Sequence, residues 1–235
     1  MSTDRSGLLR DNGRPAWGCL PRKTRFAEKC RPAELRVPVV PENQWDAIAG
    51  QLGQGLRPYH KARLDQDSVG SCATESTTGA VMVSRAFAGL PFVLLNPWFI
   101  YYHTSGGRDD GSSIDENLEF VKEFGIAPES VWPRSKGWRT KPSSQAYAAA
   151  KAFRIEEYWD VASIGEMVGT LLLPEPVVFG ADGHSVLAVA HKGTYPEVAN
   201  SWGDDWEDDG FGKWCSYSQV NWKYGAFGVR VTSEV

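Results

Sequence analysis

Gln66, Cys72, His184 and Asn200 are the residues of this chain whose types could do chemistry together. They lie in three short stretches, QDSVGSCA at 66–73, GHSV at 183–186 and NSWGDDW at 200–206. A thiol attacks a carbonyl carbon only as thiolate, so it needs a base that becomes a cation beside it. The imidazole of His184 supplies that base, and the Asn200 amide is a neutral partner that fixes its tautomer and ring plane. Charge developing on the attacked oxygen needs a donor, which the Gln66 side chain provides. Together they describe acyl transfer through a cysteine.

A nucleophile needs a rigid support, and the residues after Cys72 supply one. In ATESTTGAVMVSRAF, Ala73, Thr77, Ala80, Val81, Ser84 and Phe87 recur at three- and four-residue steps, which predicts a helix with that face buried. Cys72 then stands at the helix N-terminus, where unpaired amides and the macrodipole favour a thiolate and the Cys72 N–H adds a second oxyanion donor. His184 and Asn200 fall in a different setting. FRIEEYW (153–159) and PVVFG (176–180) are β-branched and aromatic runs around the helical stretch SIGEMVGTLL, and HSVLAVAH, YPEVANSW, GFGKW and AFGVRVT follow as short strands. The expected fold class is α+β, with the thiol from a helical part, the His and Asn from a β part, and a cleft between them.

The arrangement resembles the papain-like cysteine peptidases, of a bacterial or viral type. Gln66 precedes Cys72 by six positions and His184 precedes Asn200 by sixteen, as in that family, and Asn200 opens its NSWG run. LNPWFIYYH and DDGSSIDENLEFVKEFGIAPESVWP resemble its helical lobe. The resemblance implies two lobes within residues 41–235: a helical left lobe over about 60–150 and an antiparallel, barrel-like β lobe over about 151–235. It implies a cysteine endopeptidase working through a thioester acyl-enzyme, with Cys72, His184, Asn200 and Gln66 as its catalytic set. Gly111, Ser112, Ser113, Ile114 and Ser185 would line the non-primed cleft, and Trp202 would screen the His–Asn hydrogen bond. No cofactor or metal is expected, and the partner is a protein or peptide substrate. His60, His103 and His191 compete for the base role only formally. The sixteen-residue offset selects His184, and strand alternation puts His191 on the opposite face.

Departures from the family pattern matter too. Val69 and Ala73 stand where the family writes a disulfide cysteine and a tryptophan, and Cys19, Cys30 and Cys215 do not fall at its other bridge positions, although a Cys19–Cys30 bridge stays open. From Cys72 to His184 is 112 residues against the family's roughly 130, because FGAD replaces a longer hairpin before His184. One wall of the cleft is therefore expected to be low.

The first 40 residues form a basic arm with nine Arg or Lys against four Asp or Glu, while the whole chain of 235 residues carries a net −4, so arm and body should attract. Pro15, Pro21 and Pro32 and the lack of helical periodicity make the arm extended, without the family's helical pro-region. It could pack over the cleft, be a substrate of the same site, or dock to a partner. With 4 cysteines and no secretory signal at MSTDRSGLLRDNG, a cytoplasmic or particle-associated setting is expected. No run of about 18 apolar residues indicates a membrane span, and SGG at 105–107 lacks the lysine and helix of a phosphate loop, which argues against nucleotide binding; neither a membrane nor nucleic acid is an expected partner. The acidic run Asp204, Asp205, Glu207, Asp208 and Asp209 reads as a solvated turn. Two other functions fit the same residues: a transamidase or cell-wall peptide hydrolase, and a structural or docking component that keeps the scaffold.

Overall fold

A computed structural model describes residues 18–23 and 31–231. Cys30 and most of the basic arm lie outside them, so the possible Cys19–Cys30 bridge and any docking by residues 1–17 do too.

Helix α1 (Trp45–Leu52) is followed by α2 (Cys72–Phe87), α3 (Pro97–Thr104), α4 (Ile114–Phe124) and α5 (Ser144–Ala150), with α6 (Ile164–Leu172) later in the chain. The strands are β1 (Cys19–Leu20), β2 (Arg31–Pro32), β3 (Ser112–Ser113), β4 (Glu157–Asp160), β5 (Val177–Ala181), β6 (His184–Lys192), β7 (Tyr195–Ala199), β8 (Phe211–Lys213) and β9 (Ala226–Arg230). One sheet has the order β2-β4-β9-β5-β6-β7-β8, antiparallel except for β2 on β4, and β1 pairs with β3 separately. This is the expected α+β class, with the thiol on a helix and the His on the sheet.

Local chemistry explains the element ends. Asn96 Oδ1 accepts from Trp98 N at 2.9 Å with Pro97 at the first helical position, which starts α3, and Ser143 and Ser163 cap α5 and α6. Asp182 and Gly183, at φ 52° and 79°, form the two-residue turn between β5 and β6, the left-handed pair that matches strand twist. The short FGAD connection is thus a tight hairpin.

Helix α2 is buried from Cys72 to Ser84 because it runs between the sheet and helices α3 and α4. Ala73, Thr77, Ala80, Val81 and Ser84 are buried as their spacing predicts. Phe87 is not: it is 41% exposed, in the last turn of α2, where its ring meets Tyr59 edge-on. Strand β6 is buried on both faces. Leu187 and Val189 join the core beneath α2, while Val186 and Ala188 join a second core with α1 and α6. A bulge between Ala188 and Ala190 resets the alternation. His191 therefore faces α1, on the side of Val186 and Ala188, which corrects the expectation that it opposes His184.

Candidate active site

Cys72 is the first residue of α2 and wholly buried. Its predecessor Ser71 is the N-cap residue, yet its hydroxyl caps no amide and instead donates to Glu75 Oε1 at 3.0 Å. Ser71 thus gives the helix no side-chain cap of its own, and a helix N-terminus favours negative charge. Gly70, beside Val69, is held by Asp109, whose Oδ1 accepts from Gly70 N at 2.8 Å and from Tyr101 Oη at 2.6 Å.

His184 opens β6, and its Nε2 lies 2.8 Å from Asn200 Oδ1. That oxygen also accepts from Ser201 N at 2.8 Å, which fixes which way the amide faces. Nε2 must then carry the proton, and the lone pair of the neutral ring sits on Nδ1, buried without a hydrogen-bond partner among the described residues. Trp202 stacks on the imidazole at 5.0 Å and Trp214 meets it edge-on at 4.9 Å, so two indoles close the His–Asn pair from water. Trp214 is a neighbour of the candidate site that sequence reasoning missed: among 10 tryptophans nothing local singles it out. Burial holds the imidazole down at about 4, with the Asn200 hydrogen bond pulling it partly back.

The helix and the sheet are joined next to these two groups. Ser76 Oγ, one turn after Cys72, lies 2.7 Å from Ser185 Oγ, the neighbour of His184. Ser185 turns toward α2, on the face of Leu187, because alternation sends it away from the face of His184. Its hydroxyl is therefore part of the helix–sheet joint, a correction to the expectation that it faces a substrate side chain.

Residues 18–23 of the arm cross the cleft as a strap. Gly18 N donates to Cys72 Sγ at 3.3 Å, and Cys19 N to Gly183 O at 2.9 Å, so consecutive residues reach from the thiol to the neighbour of His184. Gly18 O accepts from Ser112 N at 2.8 Å, and Cys19 and Leu20 pair in parallel with Ser112 and Ser113. Close packing demands glycine here. A Cβ on Gly18 would run into Gly70 O, and one on Gly111, at φ 98°, into Gly18 O. The Cys19 side chain lies over Gly180, buried in the same core as Ile114 and packed with Tyr224. Burial, then the nearby Cys72 and Asp115, push its thiol well above the ordinary range.

The strap is fastened by charge. Arg22 forms a two-pronged pair with Asp160 at 2.8 and 3.0 Å, and Lys23 donates from N to Asp115 and from Nζ to Glu116. The attraction between basic arm and acidic body is realised there, with Arg36 on Glu157 as a further contact. The wall beside the Asp182–Gly183 turn, expected to be low, is lined by this strap.

Gln66 is buried and bound to the segment carrying Asn200: Gln66 N donates to Ser201 O at 2.9 Å and Ser201 Oγ to Gln66 Oε1 at 2.6 Å. Its Nε2 donates to Val69 O at 2.9 Å. His191 is tied to Asp46 and Tyr217, His103 to Tyr147, and His60 to Arg63, all away from the thiol. In the acidic run, Asp208 and Asp209 pair with Arg57 and Arg63. Among the described residues no group of His, Cys, Asp and Glu could hold a metal ion, and no helix is long and apolar enough to cross a membrane.

The depressed His184 titration sets a sign for stability. Unfolding releases the ring to its ordinary 6.5, so His184 favours the folded state fully above that pH and progressively less as pH falls toward about 4. The melting-temperature advantage of the unmodified protein over His184→Gln should therefore shrink between pH 6.5 and 4; an advantage that stays constant or grows would contradict the neutral, buried imidazole.

No family model matches the sequence, and no curated protein matches it. Solved structures do. Xylellain, a cysteine protease from Xylella fastidiosa, superposes with TM-score 0.68 at 21% identity, over 92% of this chain and 97% of its own. Digestive procathepsin L 3 from the Tenebrio molitor larval midgut gives 0.62 at 18%, over 97% and 77%. The proform of the ragweed pollen allergen Amb a 11, also a cysteine protease, gives 0.57 at 18%, over 74% and 64%. A thiol at a helix start and a histidine at a strand start are thus set in the fold these proteins share: the chain has the fold of the papain-like cysteine proteases.

Proposed function

We propose that the protein is a cysteine endopeptidase whose strap keeps it latent. The observation that carries this reading is the His184 ring fixed by Asn200 with its free lone pair on Nδ1, beside the helix that begins at Cys72. In this mechanism Nδ1 takes the thiol proton and Sγ bonds to the peptide carbonyl carbon, while Cys72 N–H and Gln66 Nε2 hold the oxygen that gains the electron pair. The C–N bond breaks as His184 returns the proton to the leaving amine. Water, deprotonated by His184, then cleaves the thioester and regenerates the thiol. Asn200 keeps the ring in plane, and Trp202 and Trp214 keep water from competing for the Nε2–H bond.

The strap reads as an inhibitor rather than a substrate. Cleavage needs a carbonyl carbon at the sulfur, whereas Gly18 presents an N–H. Self-processing at this position is therefore disfavoured. Opening must break the Arg22–Asp160 pair, whose carboxylate is 2% exposed, and separating such a pair costs on the order of 3–5 kcal/mol.

Cys72→Ala should abolish peptide hydrolysis with an unchanged melting temperature, and a peptidyl epoxide should label the unmodified protein at Cys72 alone; turnover surviving in Cys72→Ala would sink the reading. Arg22→Ala should raise turnover of a peptide substrate by about tenfold or more, since each 1.4 kcal/mol removed from closure is a factor of ten. An unchanged rate would show that the strap does not limit access.

A further inference from the structure

We infer that Arg134 and Glu75 are a positioning pair that sets the separation of the two oxyanion donors, the Gln66 side chain and the Cys72 backbone N–H; the inference rests on the peptidase reading above. Each donor follows directly on a residue that the pair holds. Arg134 Nη2 donates to Asp65 O at 2.5 Å and to Glu75 Oε1 at 3.1 Å, and Nη1 reaches Glu75 Oε2 at 3.4 Å. Asp65 precedes Gln66. On the other side Glu75 Oε1 accepts from Ser71 Oγ, and Ser71 precedes Cys72.

The unit is braced so that it can serve as a ruler. Arg134 lies over the Trp98 ring at 4.4 Å, and Trp98 Nε1 donates to Ser71 Oγ at 3.2 Å, which closes the loop from guanidinium to serine. Arg134 N donates to Glu129 Oε1 at 2.8 Å, fixing the start of the turn that carries it. Glu75 is 1% exposed. A guanidinium can bridge a carboxylate and a carbonyl at fixed spacing, which a point-charge ammonium cannot. Val69 and Ala73, the two positions where the family pattern fails, flank the same short loop, and this pair stabilises it there.

The test separates oxyanion binding from thiol reactivity in the full chain carrying Arg22→Ala, which releases the strap from the thiol. A peptide aldehyde adds to Cys72: Sγ bonds the aldehyde carbon, the carbonyl π pair moves onto oxygen, and the thiol proton passes to His184. Iodoacetamide alkylates the same sulfur without making an oxyanion. The double variant Glu75→Leu/Arg134→Met removes the pair without leaving a buried charge alone, a replacement that stays folded in comparable cases. It should bind the aldehyde about ten- to a hundredfold more weakly and lower kcat by a similar factor at constant KM, while Cys72 alkylation is unchanged. Arg134→Lys should show the same split to a smaller degree. Equal aldehyde affinity in the variants, or a parallel fall in both reactions, would overturn the positioning role. Failure of the strap-released Arg22→Ala protein to bind the aldehyde or cleave peptide, with rapid Cys72 alkylation, would instead overturn the peptidase reading.

Discussion

The contact between helix α2 and strand β6 is the constraint on which the site depends. Ser76 and Ser185 meet at 2.7 Å, and three residues on, Gly79 allows the helix to sit close enough that a Cβ would lie 3.1 Å from Leu187 Cδ2. This joint sets the helix start that carries Cys72 against the strand start that carries His184, although 112 residues separate them in sequence. A larger residue at 76, 79 or 185 would lift the helix from the sheet and move thiol and imidazole apart together. Small and hydroxylic residues at these positions therefore serve the site although none of them touches the reacting atoms.

The strap changes the electrostatics of the same pair. With Gly18 on the sulfur and two indoles on the ring, little water reaches either group, and burial dominates over the Asn200 hydrogen bond in keeping the imidazole neutral. An ion pair between thiolate and imidazolium is costly in that setting and becomes favourable as the cleft hydrates. The structure thus joins two conditions, an ordered set of candidate catalytic groups and an environment that disfavours their charged forms. The buried Arg22–Asp160 pair and the β1–β3 hydrogen bonds hold the strap in place.

Much of this was legible in the chain. Cys72, His184, Asn200 and Gln66 could be singled out as candidates because the chemistry needs fixed residue types and local offsets, and the structure brings His184 to Asn200 and binds Gln66 to the neighbouring Ser201; the α+β class followed from periodicities that switch from helical to alternating. The attraction of arm and body followed from charge alone. What sequence could not carry was contact at long range. The direction of residues 18–23 depends on Ser112 and Gly183, and the place of Trp214 on a fold of the chain back over His184. The face of His191 was misread because a bulge inserts one residue where alternation assumes none, and Phe87 because a helix that outruns its sheet loses its cover in the last turn. Ser185 was assigned to the cleft by correspondence, although its own alternation with His184 already pointed it to the helix.

In the proposed latent peptidase the site is formed and held shut by the Gly18 amide on the Cys72 sulfur, and the rate of Cys72 alkylation by iodoacetamide tests that directly. In the Gly18→Val variant of the full chain, the added Cβ would run into Gly70 O and lift the strap off the thiol while leaving the site residues intact. Cys72 should then react roughly tenfold faster or more than in the unmodified protein at neutral pH. Equal rates in the two proteins would contradict the account, because the thiol would then be as accessible with the strap seated as without it.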